Sequence, residues 1–369
     1  MYIKTKYSAL LLFSATATML IGCQTGNVSN NSRCVAGKTD STKESEKCVT
    51  QLASKDPKDP ENLYLEEVYG KKALGWVEAH NESSRPQFEN DTRFSEIKSA
   101  ALKVMDDPNK MIHVAFSGDW AYNFWQDEKN VRGLWRRTSI ENYLSGERKW
   151  EVLLDIDALA KKENKNWIFG GSNRFKDRAL IYLSDGGKDA KVVREFDIPS
   201  KSFVSDGFIL PEGKNAVSWI NEDEVFLGLA IGEDEATDSG YPRQTRIWKR
   251  GESYKKAKVV YSGDKKDVSV SAGVSRDEED SPARYKIIKR GLDFFNTDRF
   301  ILRDDGKLVK LEIPTDASLN IEIDQAFVTL KSDWVYQNKT YKVGSLIKFD
   351  LEQFISGSIQ PEYTTFAFL

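Results

Sequence analysis

Histidine is scarce in this chain of 369 residues, in which only His80 and His113 occur. A serine nucleophile needs an imidazole base beside it, so these two residues are the candidates for that role. A structural role is favoured for each, because His80 is expected at the end of a helix and His113 in a strand. The Gly-x-Ser-x-Gly turn that carries the nucleophile of α/β-hydrolases is also missing. The sequence therefore predicts no catalytic residue.

Clusters of basic residues are missing as well. Lys and Arg total 54 against 57 Asp and Glu, and they are interspersed, so nucleic acid is not expected as a partner. Arg136 and Arg137 are adjacent, but neighbours on a strand point to opposite faces and cannot hold one anion together. Three acidic clusters fall in expected turns, at residues 222–224, 233–235 and 277–280. Solvated loop charge is favoured over calcium binding there, because no ligand-loop pattern is present. We predict no metal and no cofactor.

The N-terminal apolar run, residues 9–20, is too short for a permanent membrane-spanning helix and fits a secretory signal. It ends in Leu20-Ile21-Gly22-Cys23, which resembles the bacterial lipobox. This predicts a lipoprotein signal peptide over residues 1–22, cleavage before Cys23 and acylation of that cysteine. A plain signal peptide with an incidental cysteine is the alternative. Lipid chains would anchor the body to a membrane surface, and Gln24 favours the periplasm-facing side of the outer membrane.

Residues 23–58 are predicted to form a flexible tether, because Ser, Asn, Thr, Lys and Asp dominate this stretch. Cys34 and Cys48 lie within it. Outside the cytoplasm two such cysteines more often pair than stay free, so we expect a disulfide. A metal site is disfavoured because neither histidine is nearby. Peptide mapping without reduction tests the pairing.

Residues 59–110 have the periodicity of helices. Apolar residues recur at three-to-four spacing between Leu63 and Val77, and again from Phe94 to Met105. Gly70 interrupts the first pattern, and Pro108 follows the second. We therefore predict two amphipathic helices, each with an apolar stripe that needs a packing partner.

From residue 111 to residue 369 the pattern is that of an all-β protein. Residues 113–155 contain four short runs separated by turn formers, which predicts a four-stranded antiparallel meander. Similar groups of runs recur roughly every fifty to sixty residues, with no helix expected between strands, and this favours a β-propeller over a sandwich. About five blades are predicted, and the five groups cover residues 113–155, 167–204, 208–261, 268–313 and 321–350. Residues 362–369 indicate one more strand, with no partner strand after it.

An ordered set of short segments resembles the prolyl oligopeptidase propeller. The resemblance begins near Asp59-Pro60 and runs to the last residue without large gaps. The segments that carry it are residues 65–68, 122–125, 133–138, 150–155, 183–190, 194–197, 207–212, 239–243 and 248–251.

The resemblance implies a serine peptidase family that cleaves short peptides after proline. In that family a seven-bladed propeller covers a C-terminal α/β-hydrolase domain, which holds the catalytic residues, and restricts access to small peptides. We expect the chain to be the N-terminal part of such an enzyme, cut short before the catalytic domain and without peptidase activity alone. The alternative is a complete lipid-anchored propeller with a binding or scaffold role. An out-of-frame Gly-x-Ser-x-Gly segment in the DNA downstream of the stop codon would favour the first hypothesis.

Acylation of Cys23 is testable in the exported protein. We expect the mature N-terminal peptide to begin at Cys23 and to carry the mass of attached lipid chains. Mass spectrometry of that peptide is the measurement. An unmodified terminus, or cleavage at another bond, would contradict the lipoprotein prediction.

Overall fold

The computed structural model describes residues 61–67, 70–147, 149–232 and 234–364. The three cysteines, Cys23, Cys34 and Cys48, lie outside these residues, as do residues 365–369. The chain divides into two units, one ending at Ser99 and the other beginning at Ala100. Among the described residues, no helix is both long enough and apolar enough to cross a membrane.

Two helices follow a short 3-10 turn at Leu63–Glu66, as the periodicity predicts. Helix α1 is Lys71–Glu89 and helix α2 is Thr92–Met105. The first helix begins after Gly70 but continues well beyond the predicted end, so His80 lies in its middle rather than at its end. Within the described parts of both helices only Ala73 is buried, and the apolar stripes are exposed.

Among the residues that the structure describes, five antiparallel sheets follow one another in sequence order. The first contains β1 (Ala115–Ser117), β2 (Trp120–Trp125), β3 (Leu134–Ser139) and β4 (Glu151–Asp155). The second contains β5 (Trp167–Phe175), β6 (Arg178–Asp185), β7 (Lys191–Asp197), β8 (Ser202–Phe203) and β9 (Ile209–Gly213). The third contains β10 (Ala216–Asn221), β11 (Glu224–Gly228), β12 (Gln244–Lys249) and β13 (Lys258–Ser262).

The last two sheets have the same pattern of sequential antiparallel strands. The fourth contains β14 (Ser269–Ser275), β15 (Tyr285–Gly291), β16 (Thr297–Leu302) and β17 (Leu308–Lys310). Between the second and third strands of the fifth sheet lies a two-stranded ribbon of β20 (Trp334–Tyr336) and β21 (Lys339–Tyr341). The fifth sheet itself contains β18 (Ser318–Glu322), β19 (Gln325–Thr329), β22 (Leu346–Asp350) and β23 (Glu362–Tyr363).

The segment that begins at residue 208 belongs to the second sheet, so its predicted assignment to the third was wrong. Strand β9 pairs with β7, with Leu210 opposite Val193. Two hydrogen bonds hold this segment on β7: Glu195 N donates to the Phe208 carbonyl, and Phe208 N donates to the Glu195 carboxylate, both over 2.9 Å. These contacts are non-local and are not encoded in the strand periodicity.

One prediction about the fifth sheet was also wrong. Trp334–Tyr336 lies in the ribbon and not in the sheet, although its Trp334 ring is buried against Phe349 of β22. The strand expected from residue 362 onward is present as β23, and it pairs with the preceding strand β22, with Tyr363 opposite Ile347. The hydroxyl of buried Tyr341 donates to the Pro361 carbonyl over 2.6 Å and fixes the approach of this last strand.

Short helices occur among the strands, contrary to the prediction that none would. They are α3 (Ile140–Leu144), α4 (Ile156–Glu163) and α5 (Leu351–Ile355). Each begins after a capping side chain, Ser139, Asp155 and Asp350 respectively, that accepts a hydrogen bond from the backbone N–H three residues on. Helices of five to eight residues are too short to produce a clear apolar period, which explains why the sequence pattern missed them.

Aromatic rings fill the spaces between successive sheets. Trp135 of the first sheet packs edge-on against Phe196 of the second, with ring centroids 5.7 Å apart. Phe208, which directly precedes β9 of the second sheet, packs against Trp219 and Trp248 of the third sheet. The aromatic residues of β2 and β3 contribute to this packing, because Tyr122 and Trp135 are buried in the core.

A buried carboxylate joins the second and third sheets. Glu195 has no exposed side-chain surface, and its two oxygens accept hydrogen bonds from the Arg250 guanidinium over 2.9 and 3.0 Å. Arg250 also lies 4.7 Å from the centroid of the Phe208 ring. A Cβ at Gly207 would lie 2.7 Å from a Glu195 oxygen, so the carboxylate occupies space that only glycine leaves open. The ion pair therefore fixes how one sheet meets the next.

Replacement of Glu195 by Gln should destabilise the protein. Breaking one side of a buried ion pair typically costs about 3–5 kcal/mol, but Arg250 keeps some exposure, so we expect about 2 kcal/mol. Urea denaturation measures the change. Glu222→Gln is the matched control, because its pair with Lys176 is exposed on both sides and should contribute little to stability. Equal effects of the two substitutions would contradict this interpretation.

Candidate functional site

Neither histidine lies in an arrangement suited to catalysis. His80 Nδ1 donates to the Trp76 carbonyl over 2.7 Å within helix α1, and its ring stacks on the Trp76 indole. His113 is exposed just before β1, where its carbonyl accepts a hydrogen bond from Asn123. Within the described residues, neither imidazole has a hydrogen bond to a serine hydroxyl. The His80 imidazole therefore has a contact within its own helix, whereas His113 is held through its backbone carbonyl.

The two adjacent arginines of β3 have separate partners, as predicted. Arg136 is buried, donates to the Asn123 side chain over 2.8 Å, and lies between the rings of Trp125 and Trp150. Arg137 donates instead to Glu151 on the opposite face of the strand. The two guanidinium groups therefore do not form a shared anion site.

The acidic clusters are used in contacts between turns. Glu222 pairs with Lys176, Asp277 pairs with Arg284, and the Asp280 carboxylate accepts a hydrogen bond from Lys176 N. Of the second cluster, Glu235 pairs with Arg246, and residue 233 lies outside the described part of the chain. In the described ranges no group of His, Cys, Asp and Glu side chains is arranged to hold a metal ion.

The second unit has two distinct faces. The turns that join the first and second strands of each sheet form what we call the opposite face. On this face Lys176, Glu222 and Asp280 connect three sheets. Arg284 and Asp324 connect two. We use the name hairpin face for the turns between second and third strands together with the starts of the first strands. Those turns are residues 126–133, 186–190, 229–243, 292–296 and 330–345.

The hairpin face exposes large apolar side chains. Phe294 and Phe295 are 91% and 80% exposed at the tip of the β15–β16 turn. Asp293 holds this turn, because its carboxylate accepts hydrogen bonds from Phe295 N and Asn296 N over 2.7 and 2.8 Å. Val131 and Val335 are exposed on two other turns of the face. The opposite face also has exposed apolar residues, such as Ile323, but ion pairs join its turns.

One cavity of about 310 Å³ opens on the hairpin face where three sheets meet. Its walls come from the second sheet, from the starts of β10 and β14, and from the long turn before β12. The residues that line it are Tyr182, Asp189, Lys191, Lys214, Asn215, Ala216, Tyr241, Pro242, Ser269, Val270 and Ser271. The first strands of these three sheets are neighbours, because β5 contacts β10 and β10 contacts β14. The cavity therefore lies where the first strands of the sheets come together.

Hydrogen bonds fix most of the polar groups around this cavity. The Tyr182 hydroxyl donates to the Val217 carbonyl over 2.6 Å, and burial raises the pKa of Tyr182 to about 12, so it stays neutral. The Asn215 side chain bonds both Ala230 N and the Pro211 carbonyl. Lys214 lies 3.7 Å from the Asp189 carboxylate and 4.4 Å from the centroid of the Tyr241 ring.

Hydrogen bonds also hold the long turn that carries Tyr241. Arg243 donates to the carbonyls of Asp234 and Gly263, and Val270 N donates to the Pro242 carbonyl over 2.7 Å. Periodicity did not identify these lining residues, since they come from elements far apart in sequence. The available signal was the segment 239–243, which was among those that carried the family resemblance.

Consecutive antiparallel sheets that contact one another through their first strands define a β-propeller. Residues 41–281 match the family of the prolyl oligopeptidase N-terminal β-propeller domain. The chain belongs to this family, and the predicted fold class and family are both confirmed.

Relatives from bacteria are similar over most of this chain. It is 43% identical over 309 residues to an uncharacterized peptidase of Sinorhizobium fredii and 35% identical over 302 residues to one of Rickettsia prowazekii. These matches cover 81% and 78% of this chain but only 42% of each relative. The structure of a post-proline cleaving enzyme from Rickettsia typhi is 33% identical, with a TM-score of 0.75, and the match covers 83% of this chain and 47% of that one.

Proposed function

We propose that this chain is the propeller part of a serine endopeptidase that cleaves short peptides after proline. In this proposal the propeller binds peptides and restricts their access, while the bond-breaking groups belong to an α/β-hydrolase domain that docks on the hairpin face. We also propose export and lipid anchoring through Cys23, supported by the lipobox-like residues 20–23.

Family membership supports the peptidase part of this proposal. The Rickettsia typhi protein, 33% identical, is a post-proline cleaving enzyme, and the chain spans less than half of its length. The residues of that relative and of the curated peptidases that lie outside the match are where the proposed hydrolase domain would be. In this proposal the described residues of this chain supply the part that restricts access.

The observation that carries the docking part is the pair of exposed phenylalanines on the hairpin face. Aromatic rings that are 80% exposed or more are costly in water, and contiguous apolar surface of this kind marks interaction sites. Asp293 fixes the turn that presents both rings to solvent. The cavity opens on the same face, so a docked domain there would close over a peptide held in the cavity.

This chain alone should not hydrolyse peptides. Acyl transfer needs an activated nucleophile, a base within hydrogen-bond reach and donors aimed at the oxyanion. Assays of the purified chain with proline-containing chromogenic peptides should therefore show no turnover above buffer. Turnover that a serine-reactive phosphonate abolishes, with label on one serine of this chain, would overturn the proposal.

The docking surface is tested by the double substitution Phe294→Ser with Phe295→Ser. Without a covering domain, exposed aromatic rings promote self-association, so the double variant should be less associated than the parent. Light scattering during size-exclusion chromatography measures this. Leu144→Ser is the control, because Leu144 is 74% exposed on the helix that joins the third and fourth strands of the first sheet. An effect of the control as large as that of the double variant would argue against a docking role for the hairpin face.

A further inference from the structure

We propose that the cavity on the hairpin face binds a carboxylate group of a short peptide through the ammonium group of Lys191. The peptide nature of the ligand rests on the proposed function, whereas the negative charge of the bound group follows from the cavity itself. The carboxylate is either the free C-terminus of the peptide or an acidic side chain.

The charges of the cavity are unbalanced. Two lysines and one aspartate line it, and the aspartate is already in contact with other groups: Asp189 lies 3.7 Å from Lys214 and 3.5 Å from the Tyr241 hydroxyl. In the part of the chain that the structure describes, Lys191 forms no ion pair within 4 Å. Its Nζ reaches only the Gly170 carbonyl, at the long distance of 3.5 Å.

The position of the Lys191 side chain is set by Gly170. A Cβ on Gly170 would lie 3.0 Å from Lys191 Cδ and 3.1 Å from its Cε, which is closer than ordinary packing. The absence of a side chain there lets the lysine stem lie across the inner strand β5. This arrangement restricts the stem of Lys191, a residue that lines the cavity, and it lowers the entropy that the lysine loses when a ligand binds.

The other polar groups restrict which ligand fits. The side chains of Tyr182 and Asn215 are engaged in hydrogen bonds with backbone groups and act as walls. Ser269 and Ser271 lie two residues apart on β14 and line the same cavity, where their hydroxyls are able to donate to an acceptor. A volume of about 310 Å³ is at the lower limit of ligand pockets, so the cavity takes the end of a peptide and not its whole length.

Ligand-observed NMR titrations of the full chain test this proposal with three tripeptides. These are Ala-Pro-Ala as the free acid, the same peptide as the C-terminal amide, and Ala-Pro-Glu as the C-terminal amide. We expect the free acid to bind and its amide not to bind. Binding of the glutamate peptide would identify a side-chain carboxylate as a second source of the ligand group, and its absence would restrict the site to the C-terminus.

Substitution of the lysine provides the decisive comparison. Lys191→Met keeps the apolar stem but removes the charge, and should weaken binding of the free acid roughly tenfold or more, as expected for a charge-assisted hydrogen bond. Lys188→Met is the matched control, since Lys188 lies on the turn just before β7, pairs with Glu212 and does not line the cavity. Gly170→Ala keeps the charge but fills the space of the lysine stem, and should weaken binding as well.

Thermal melting of each variant separates loss of binding from loss of the fold. If Lys191→Met fails to fold, the Gly170→Ala and Lys188→Met variants and the three peptides still give the answer. Equal binding of acid and amide, unchanged binding in the folded lysine variant, or no binding to the parent chain overturns the proposal. These titrations measure binding at the cavity alone, so their failure leaves the peptidase part of the proposed function standing. Peptidase activity of the chain would overturn that function without affecting the cavity.

Discussion

Each sheet of this propeller has two faces that must be covered, and the rest of the structure depends on that constraint. A four-stranded meander is too small to be stable alone, so its apolar side chains must pack against the sheets before and after it. Trp135 against Phe196, and Phe208 against Trp219 and Trp248, meet this need between the first three sheets. Because aromatic rings fill these spaces, large residues recur along the chain wherever one sheet passes to the next.

Polar contacts then decide how the packed sheets are oriented. Apolar contact is not directional, whereas a bidentate ion pair such as that of Glu195 with Arg250 permits one geometry. Comparable contacts recur between other pairs of sheets: Arg276 donates to the carbonyls of Trp219 and Ile220, and Arg303 pairs with Glu352. The acidic clusters at residues 222–224, 233–235 and 277–280 also take part in polar contacts of this kind. Their charge is used in holding turns together.

The two faces of the second unit differ in their contacts, and the hairpin face is the one available for binding. Ion pairs connect the turns of the opposite face, while the hairpin face exposes Phe294 and Phe295 and the mouth of a cavity that contains Lys191. A surface that combines exposed aromatic rings with a concave polar site is typical of a binding surface. It agrees with the proposed function, in which the propeller binds and admits peptides.

The sequence by itself determined the local structure and the family. Alternation of side chains and turn-forming residues marked strands such as β2 and β3 because both signals are local. The ordered set of motifs indicates the prolyl oligopeptidase propeller without any knowledge of which strands pair. Only the tertiary structure decided that β9 joins the second sheet, that β23 pairs with β22, and that Lys191 lies beside residues from β10 and β14. Periodicity indicates that a strand exists and which side is apolar, but its partner depends on hydrogen bonds and packing between residues far apart in the chain.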